Sequence, residues 1–359
     1  MKTDKKNAHT TPNYCSMVRV PVRTFAPEIS AHRERLIAIS AKKWVNGTKL
    51  KFYFFNGGQD GSPSDWKGTA TQMNAVRKAF TTWKSLGIGL VFEETKEMDE
   101  AQLRIGFLMG DGSWSYVGRD NVDYASSPNE RSMNFGWDIS NDADTAIHEV
   151  GHAIGAQHEH QNPFAGIVWD EEAVYTELAK PPNSWSRETT YHNIIRKLPL
   201  NEVEGSNHDP NSVMHYPFGP GLIKAPPQYI NGIYPAGGLS DKDKEYVKKY
   251  YPPIALKDYI ELKLSKSQPL DIAAGEQMNF IFKPKRSKKY KIETFGQMDT
   301  VMVLFEKSGS EEIYLAGDDD SGTDNNSKIH LRLIKRREYI IRVRLFYSEQ
   351  SGAGSIMVY

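Results

Sequence analysis

Hydrophobic positions along the 359-residue chain fall into two regimes, one of mixed periodicity up to about residue 253 and one of plain alternation beyond it. In the first regime, "KLKFYFF" (residues 49–55) is aromatic-rich and partly alternating, which predicts a strand. The stretch 65–87 reads as a helix, because Met73, Val76, Ala79, Phe80 and Trp83 recur at spacings of three and four and make one apolar core face. "GLVFEET" (89–95), "QLRIGFLMG" (102–110) and "RSMNFGWDI" (131–139) read as short strands separated by polar linkers. A histidine-rich segment then follows on a helical pattern, with Asp142 or Asp144 placed to cap it by accepting from its free N–H groups. Strands followed by a helix indicate an α+β domain. It closes with "SDKDKEYVKKYYPP", a helix with Ser240 and Asp243 as a capping box and Pro252-Pro253 as its stop.

From about Ile254 the pattern changes to "YIELKL", "MNFIFK", "YKIETF", "TVMVLFE", "KIHLRLI" and "EYIIRVRLF", separated by turn residues. Strands at this spacing with no helical period predict a small all-β sandwich. "KPKRSKK" (283–289) lies between two of them and reads as a solvated loop. The first ~20 residues are polar and irregular, an arm outside any core. Three parts result: an arm over 1–22, inhibitory or disordered; an α+β domain over 23–253; and a β-sandwich over 254–359.

Composition narrows the partners. Forty-five basic and 45 acidic residues balance, so no long-range field points to a nucleic acid or an anionic membrane. No run approaches the ~20 apolar residues of a membrane span, and the N-terminus shows no apolar stretch of signal-peptide length. Cys15 is the single cysteine, which excludes intramolecular disulfides and thiol-clustered metal sites. A metal must therefore rest mainly on histidine and carboxylate.

The segment "HEVGHAIGAQHEH" (148–160) holds such a set. His148 and His152 are four apart, which stacks two imidazoles on one helical face where they can share one ion. Glu149 sits beside the first, in reach of a water in the metal's open position as general base. Gly155 permits the sharp turn after the helix, and His158 can then return as third ligand. Three nitrogen ligands with an open position suit Zn²⁺.

This extended pattern, with Glu159 after the third histidine and "SVMHYPF" (212–218) downstream, resembles the metzincin zinc endopeptidases and, among them, the astacin family. The resemblance covers roughly residues 44–251 and implies His148, His152 and His158 as zinc ligands and Glu149 as base. It further implies Met214 as the apolar floor beneath the metal and Tyr216 as a weak ligand that swings to donate to the tetrahedral oxyanion. Glu159 would be a buried structural carboxylate, and His160 is left without a role. "GSWSYVGR" (112–119) and "MNFGW" (133–137) are similar to the family's upper-strand region, where a protein or peptide substrate lies as an extended strand. A secreted setting is implied, but Ser113 stands where the family has a cysteine, and no zinc-blocking aspartate is assignable in the arm. Cys15 offers another route to latency, as a thiolate on zinc, against the alternative of a free, unreactive cysteine.

Residues 258–359 resemble the bacterial pre-peptidase C-terminal domain through the DT before a strand, the D-D-D-S-G turn and the Y-x-I-R-V strand. Asp318, Asp319 and Asp320 offer hard oxygens to Ca²⁺, with a solvated turn as the alternative. Three functions follow: a zinc endopeptidase; an inactive protease-like binding or adhesion protein acting through its sandwich; and a zinc hydrolase of non-peptide amides, which the substrate-strand signature disfavours. Oligomeric state is open.

Overall fold

The structure, a computed structural model, describes residues 12–21, 42–44, 46–199, 207–253, 259–273, 276–309, 311–319, 321–346 and 350–359. They gather into two compact units, one within 1–44, 51–83 and 94–243 and the other within 45–50, 84–93 and 244–359.

A five-stranded sheet runs in the order β2-β1-β3-β5-β4, from β1 (Lys49–Phe54), β2 (Val91–Glu94), β3 (Leu103–Gly106), β4 (Trp114–Ser115) and β5 (Met133–Asn134). Strands β1, β3 and β5 are parallel, whereas β4 pairs antiparallel with β5 and takes the sheet edge. The predicted strands are present but shorter than their apolar runs. Beyond Asn134, for example, Phe135 and Gly136 leave the ladder and meet the 106–113 loop instead.

Helix α1 (Ala70–Lys84) buries Val76, Ala79, Phe80 and Trp83 as its periodicity predicts. Met73 is only partly buried, and Gln72 takes a buried place by accepting from the Thr69 N–H. Helix α2 (Ala143–Ala153) follows the sheet, and Trp83 donates its indole N–H to Ile147 O (3.0 Å), tying α1 to it. A second apolar cluster lies downstream, built from Ile167, Trp169, Val174, Leu178, Ile194 and Phe218 among others. Helix α3 (Glu171–Leu178) and the small pair β6 (Val168–Trp169) and β7 (Ile223–Ala225) contribute to it, and helix α4 (Asp241–Tyr250) ends the α+β part.

The arm is where the structure departs from expectation. Tyr14, Cys15 and Met17 are buried, so part of the segment 12–21 enters a core rather than lying outside one. Their backbone N–H groups find acceptors: Tyr14 at Asn183 Oδ1 (3.0 Å), Ser16 at Ser113 O (3.0 Å) and Met17 at Asn193 Oδ1 (2.9 Å). Polar neighbours disguised this, because the segment has no period for pattern reading to detect.

The C-terminal unit contains the all-β sandwich that the alternation predicts. One sheet has the order β13-β12-β15-β10-β8, from β8 (Ile260–Glu261), β10 (Gln277–Phe282), β12 (Thr300–Ser308), β13 (Glu311–Asp318) and β15 (Glu338–Leu345). The other has β14-β11-β16-β9, from β9 (Gln268–Ile272), β11 (Lys288–Gly296), β14 (Lys328–Leu333) and β16 (Gly352–Val358). Alternate residues such as Phe280, Phe282, Ile292, Met302, Leu304, Ile341 and Val343 fill the space between them. Asp318 spends its carboxylate on its own loop, accepting from the Ser321 hydroxyl and from the Ser321 and Lys328 N–H groups (3.1 and 2.7 Å). Asp320 lies outside the described residues.

Candidate metal centre

Helix α2 starts where Asp142 caps it, its carboxylate accepting from Thr145 N–H (3.1 Å) and the Thr145 hydroxyl (2.6 Å). Asp144, the other candidate cap, instead accepts from the Gly238 N–H (2.9 Å). The helix ends through Gly155, whose φ of 106° is a conformation side chains resist. Its N–H and that of Ala156 reach back to His152 O and Gly151 O (2.8 and 2.9 Å), and the Trp44 indole satisfies Ala153 O (2.8 Å). The chain then folds back and delivers His158 to the same place as His148 and His152.

Two backbone carbonyls set how these rings face. His148 Nδ1 lies 2.8 Å from Val213 O and His152 Nδ1 2.8 Å from Ala156 O, so both Nδ1 atoms carry the proton and both Nε2 lone pairs are free. His148 Nε2 is buried with no partner, and the Nε2 atoms of His152 and His158 lie 3.1 Å apart. Burial pushes His148 down to about 4 and holds His152 and His158 well below the usual imidazole range, so all three rings are neutral.

A fourth group completes the set. One ligand atom from each of Cys15, His148, His152 and His158 lies within 4.8 Å of the others, and among the described residues this is the one cluster of its kind. Three neutral imidazoles and a thiol, with His148 Nε2 buried without a partner, fit a zinc ion. The sequence supplied the three histidines by spacing and left Cys15 open between two readings.

Glu149 is fully buried. Its Oε2 accepts from the Cys15 thiol (S···O 3.6 Å), and its Oε1 has no partner. Burial pushes its carboxyl up to about 8, offset in part by that thiol contact. Tyr216 Oη lies 2.6 Å from His158 Nε2 and donates to Cys15 O (2.7 Å), so the phenol faces the cluster and the arm together.

Met214 lies against the underside of α2. A Cβ built on Gly151 would stand 2.6 Å from its sulfur and 3.3 Å from the Trp83 ring, so this glycine makes room for the thioether. Gly151→Ala is therefore expected to lower stability by about 1–3 kcal/mol, read from the urea midpoint at unchanged slope. Helix propensity acting alone would raise it by about 1 kcal/mol.

The turn carrying Met214 hangs on a residue whose part the sequence did not reveal. Asp243, the capping residue of α4, accepts from the Ser212 hydroxyl (2.6 Å), Val213 N–H (2.9 Å) and Ser240 N–H (2.9 Å). It thus holds Val213, whose carbonyl orients His148. Glu159 is structural in its contacts, accepting from Asp209 N–H (2.9 Å) and Asn162 Nδ2 (3.1 Å), while its own N–H donates to Met214 O (3.0 Å). His160 stacks on His158 with ring centroids 5.1 Å apart but is not among the converging ligand groups, its Nε2 lying 2.8 Å from Asn193 O. Ser113 is buried, and its hydroxyl accepts from Gly136 N–H (3.1 Å).

Part of the chain is similar to known proteins. The chain aligns with protein SpAN of Strongylocentrotus purpuratus at 30% identity and with blastula protease 10 of Paracentrotus lividus at 27%, each over 40% of this chain. It spans about a fifth of the length of those relatives, 21% and 22%. Among solved structures, myroilysin matches 60% of this chain and 98% of its own with a TM-score of 0.52 and 29% identity. The family model for Astacin, a peptidase family, matches residues 64–219, a range that contains His148, Glu149, His152, His158, Met214 and Tyr216. Residues 64–219 are accordingly an astacin domain, of the astacin family of metallopeptidases.

Proposed function

We propose that this chain is a zinc endopeptidase kept latent by its own N-terminal arm. The observation that carries the reading is the convergence of His148, His152, His158 and Cys15 within 4.8 Å, with Glu149 touching the thiol. His148, His152 and His158 hold the ion, and Cys15 supplies a fourth ligand in the resting protein. A bound zinc lowers the pKa of water to about 7 and polarises a carbonyl.

This chain's residues do the rest. Glu149 takes a proton from the attacking water and passes it to the leaving amine. Tyr216, freed from Cys15 O, donates to the oxygen that becomes negative. Edge strand β4 and the residue before it take the peptide through main-chain bonds, as Ser113 O takes Ser16 N–H in the arm. Met214 and Glu159 support the site and take no proton from substrate. The arm covers the thiol's position, the phenol and the strand edge at once, which is why its departure opens the site.

Substrates on this reading are proteins or peptides in extended form, and the setting is extracellular by likeness to the family. Among the described residues no helix is long and apolar enough to cross a membrane. An inactive binding protein acting through its sandwich is disfavoured, because nothing would maintain Glu149 and Tyr216 around the histidines in it.

Zinc content and casein cleavage, before and after tryptic removal of the arm, test the proposal. About one zinc per chain is expected, with cleavage after arm removal that chelation abolishes and zinc restores. Chelation should also lower the melting temperature, since the ion binds the folded state only. Zinc content unchanged by His152→Ala, or cleavage that survives chelation, would overturn it.

A further inference from the structure

We propose, resting on the endopeptidase reading, that the cavity filled by Tyr14 is a substrate subsite selecting an aromatic side chain, tyrosine before phenylalanine, beside the scissile bond. Tyr14 directly precedes Cys15, the residue at the metal cluster, so its side chain occupies the space next to where chemistry would occur. It is 3% exposed. Its ring centroid lies 4.9 Å from that of Tyr216, 5.8 Å from Phe218 in a stacked arrangement, and 6.2 Å from Trp185. Its hydroxyl donates to Pro217 O (2.8 Å), so the pocket pairs aromatic walls with one acceptor at its far end.

Besides the Cys15 thiol, the buried Met17 and the Arg19–Glu188 ion pair, the arm is held through its backbone, by contacts any peptide can make. Asn183 reads two main-chain groups, accepting from Tyr14 N–H (3.0 Å) and donating to Pro12 O (2.9 Å). Ser113 O and Asn193 Oδ1 take the next N–H groups at Ser16 and Met17. Such bonds fix an extended chain without choosing its side chains, and selection falls to the pockets.

The Phe218 wall does not depend on the arm for its position. Phe218 exchanges both backbone hydrogen bonds with Ile233 (2.8 and 2.9 Å), and its ring packs on Trp169 and His160. The Phe218 side of the cavity is thus fixed without the arm, and an aromatic residue of the substrate would take the place of Tyr14 there.

The test uses the full zinc-loaded chain, its arm nicked by trypsin at exposed Arg19, on a randomised peptide library with cleavage sites read by mass spectrometry. Aromatic residues should exceed alanine about 10–100-fold at one position flanking the cut, with tyrosine about threefold over phenylalanine. Trp185→Ala should shrink the aromatic-to-alanine ratio. Cleavage without aromatic enrichment, or with acidic enrichment there, overturns the subsite and leaves the endopeptidase reading intact. No cleavage of any peptide removes the endopeptidase reading and the subsite with it. A second readout needs no activity: Tyr14→Ala should speed tryptic nicking at Arg19 at least about fivefold, whereas Tyr14→Phe should stay near the parent. Equal nicking of all three would show that the pocket does not hold the ring, and would overturn the proposal.

Discussion

Replacing Glu149 with glutamine is expected to cut casein cleavage by the arm-free protein by about 100- to 10,000-fold while zinc content stays at the parent's level. Adjacent positions on a helix point about 100° apart, so Glu149 does not share the ligand face of His148 and His152. Its reach is nevertheless visible in its contact with Cys15. The sulfur sits among the histidine ligand atoms and 3.6 Å from Glu149 Oε2. Whatever occupies the sulfur's place after the arm leaves is within reach of the same carboxylate. Burial also removes the solvent that would compete for that oxygen, and Oε1 has no protein partner to hold it elsewhere. Glutamine keeps the volume and cannot accept a proton at neutral pH. The loss should fall on kcat with KM little changed, because the carboxylate acts in the transition state more than in binding. A variant that loses zinc and activity together would instead make Glu149 a support of the metal site. One that keeps both would remove its role as base.

Much of this centre was legible because a helix converts sequence spacing into geometry. His148 and His152 lie one turn apart by construction, and Gly155 marks the turn that returns His158. The helix face of Val76, Ala79, Phe80 and Trp83 and the alternation of the sandwich strands were legible for the same reason. Where partners meet through tertiary folding, no periodicity announces them. Cys15 and Glu149 are 134 positions apart, and Asp243 supports a turn 30 residues before it. Asp243 was readable as a helix cap, which it is, but the same carboxylate serves Val213 as well. The arm was the least legible part, since much of its hold on the fold runs through backbone N–H groups and the acceptors Asn183, Asn193 and Ser113. A polar sequence that pairs its main chain looks, residue by residue, like one that does not.

Cys15→Ser is expected to raise casein cleavage by the uncleaved full chain by about 10–100-fold, the equivalent of roughly 1.4–2.8 kcal/mol taken from the arm's hold. Burial and the Glu149 carboxylate push the free thiol's pKa well above its ordinary value, so with no cation present it is a neutral donor to Glu149. That state alone would make Cys15 an inert cysteine. A cation among the three histidines reverses the balance, because a coordinating thiol is deprotonated outright. The released proton has a place to go, since burial already favours the protonated form of Glu149. On the latent reading the thiolate would fill the open position and Glu149 would be silenced as a base, two blocks from one residue. Serine retains the backbone bonds of the arm, including Tyr216 Oη to the residue-15 carbonyl, and loses the soft ligand. The arm then closes the site only as firmly as its main-chain bonds and Tyr14 allow. Cobalt substitution supplies a check that does not depend on activity: a sulfur-to-cobalt charge-transfer band in the parent that is missing in Cys15→Ser. Equal latency together with identical cobalt spectra would make Cys15 a packing residue and leave the arm's blockade to its hydrogen bonds.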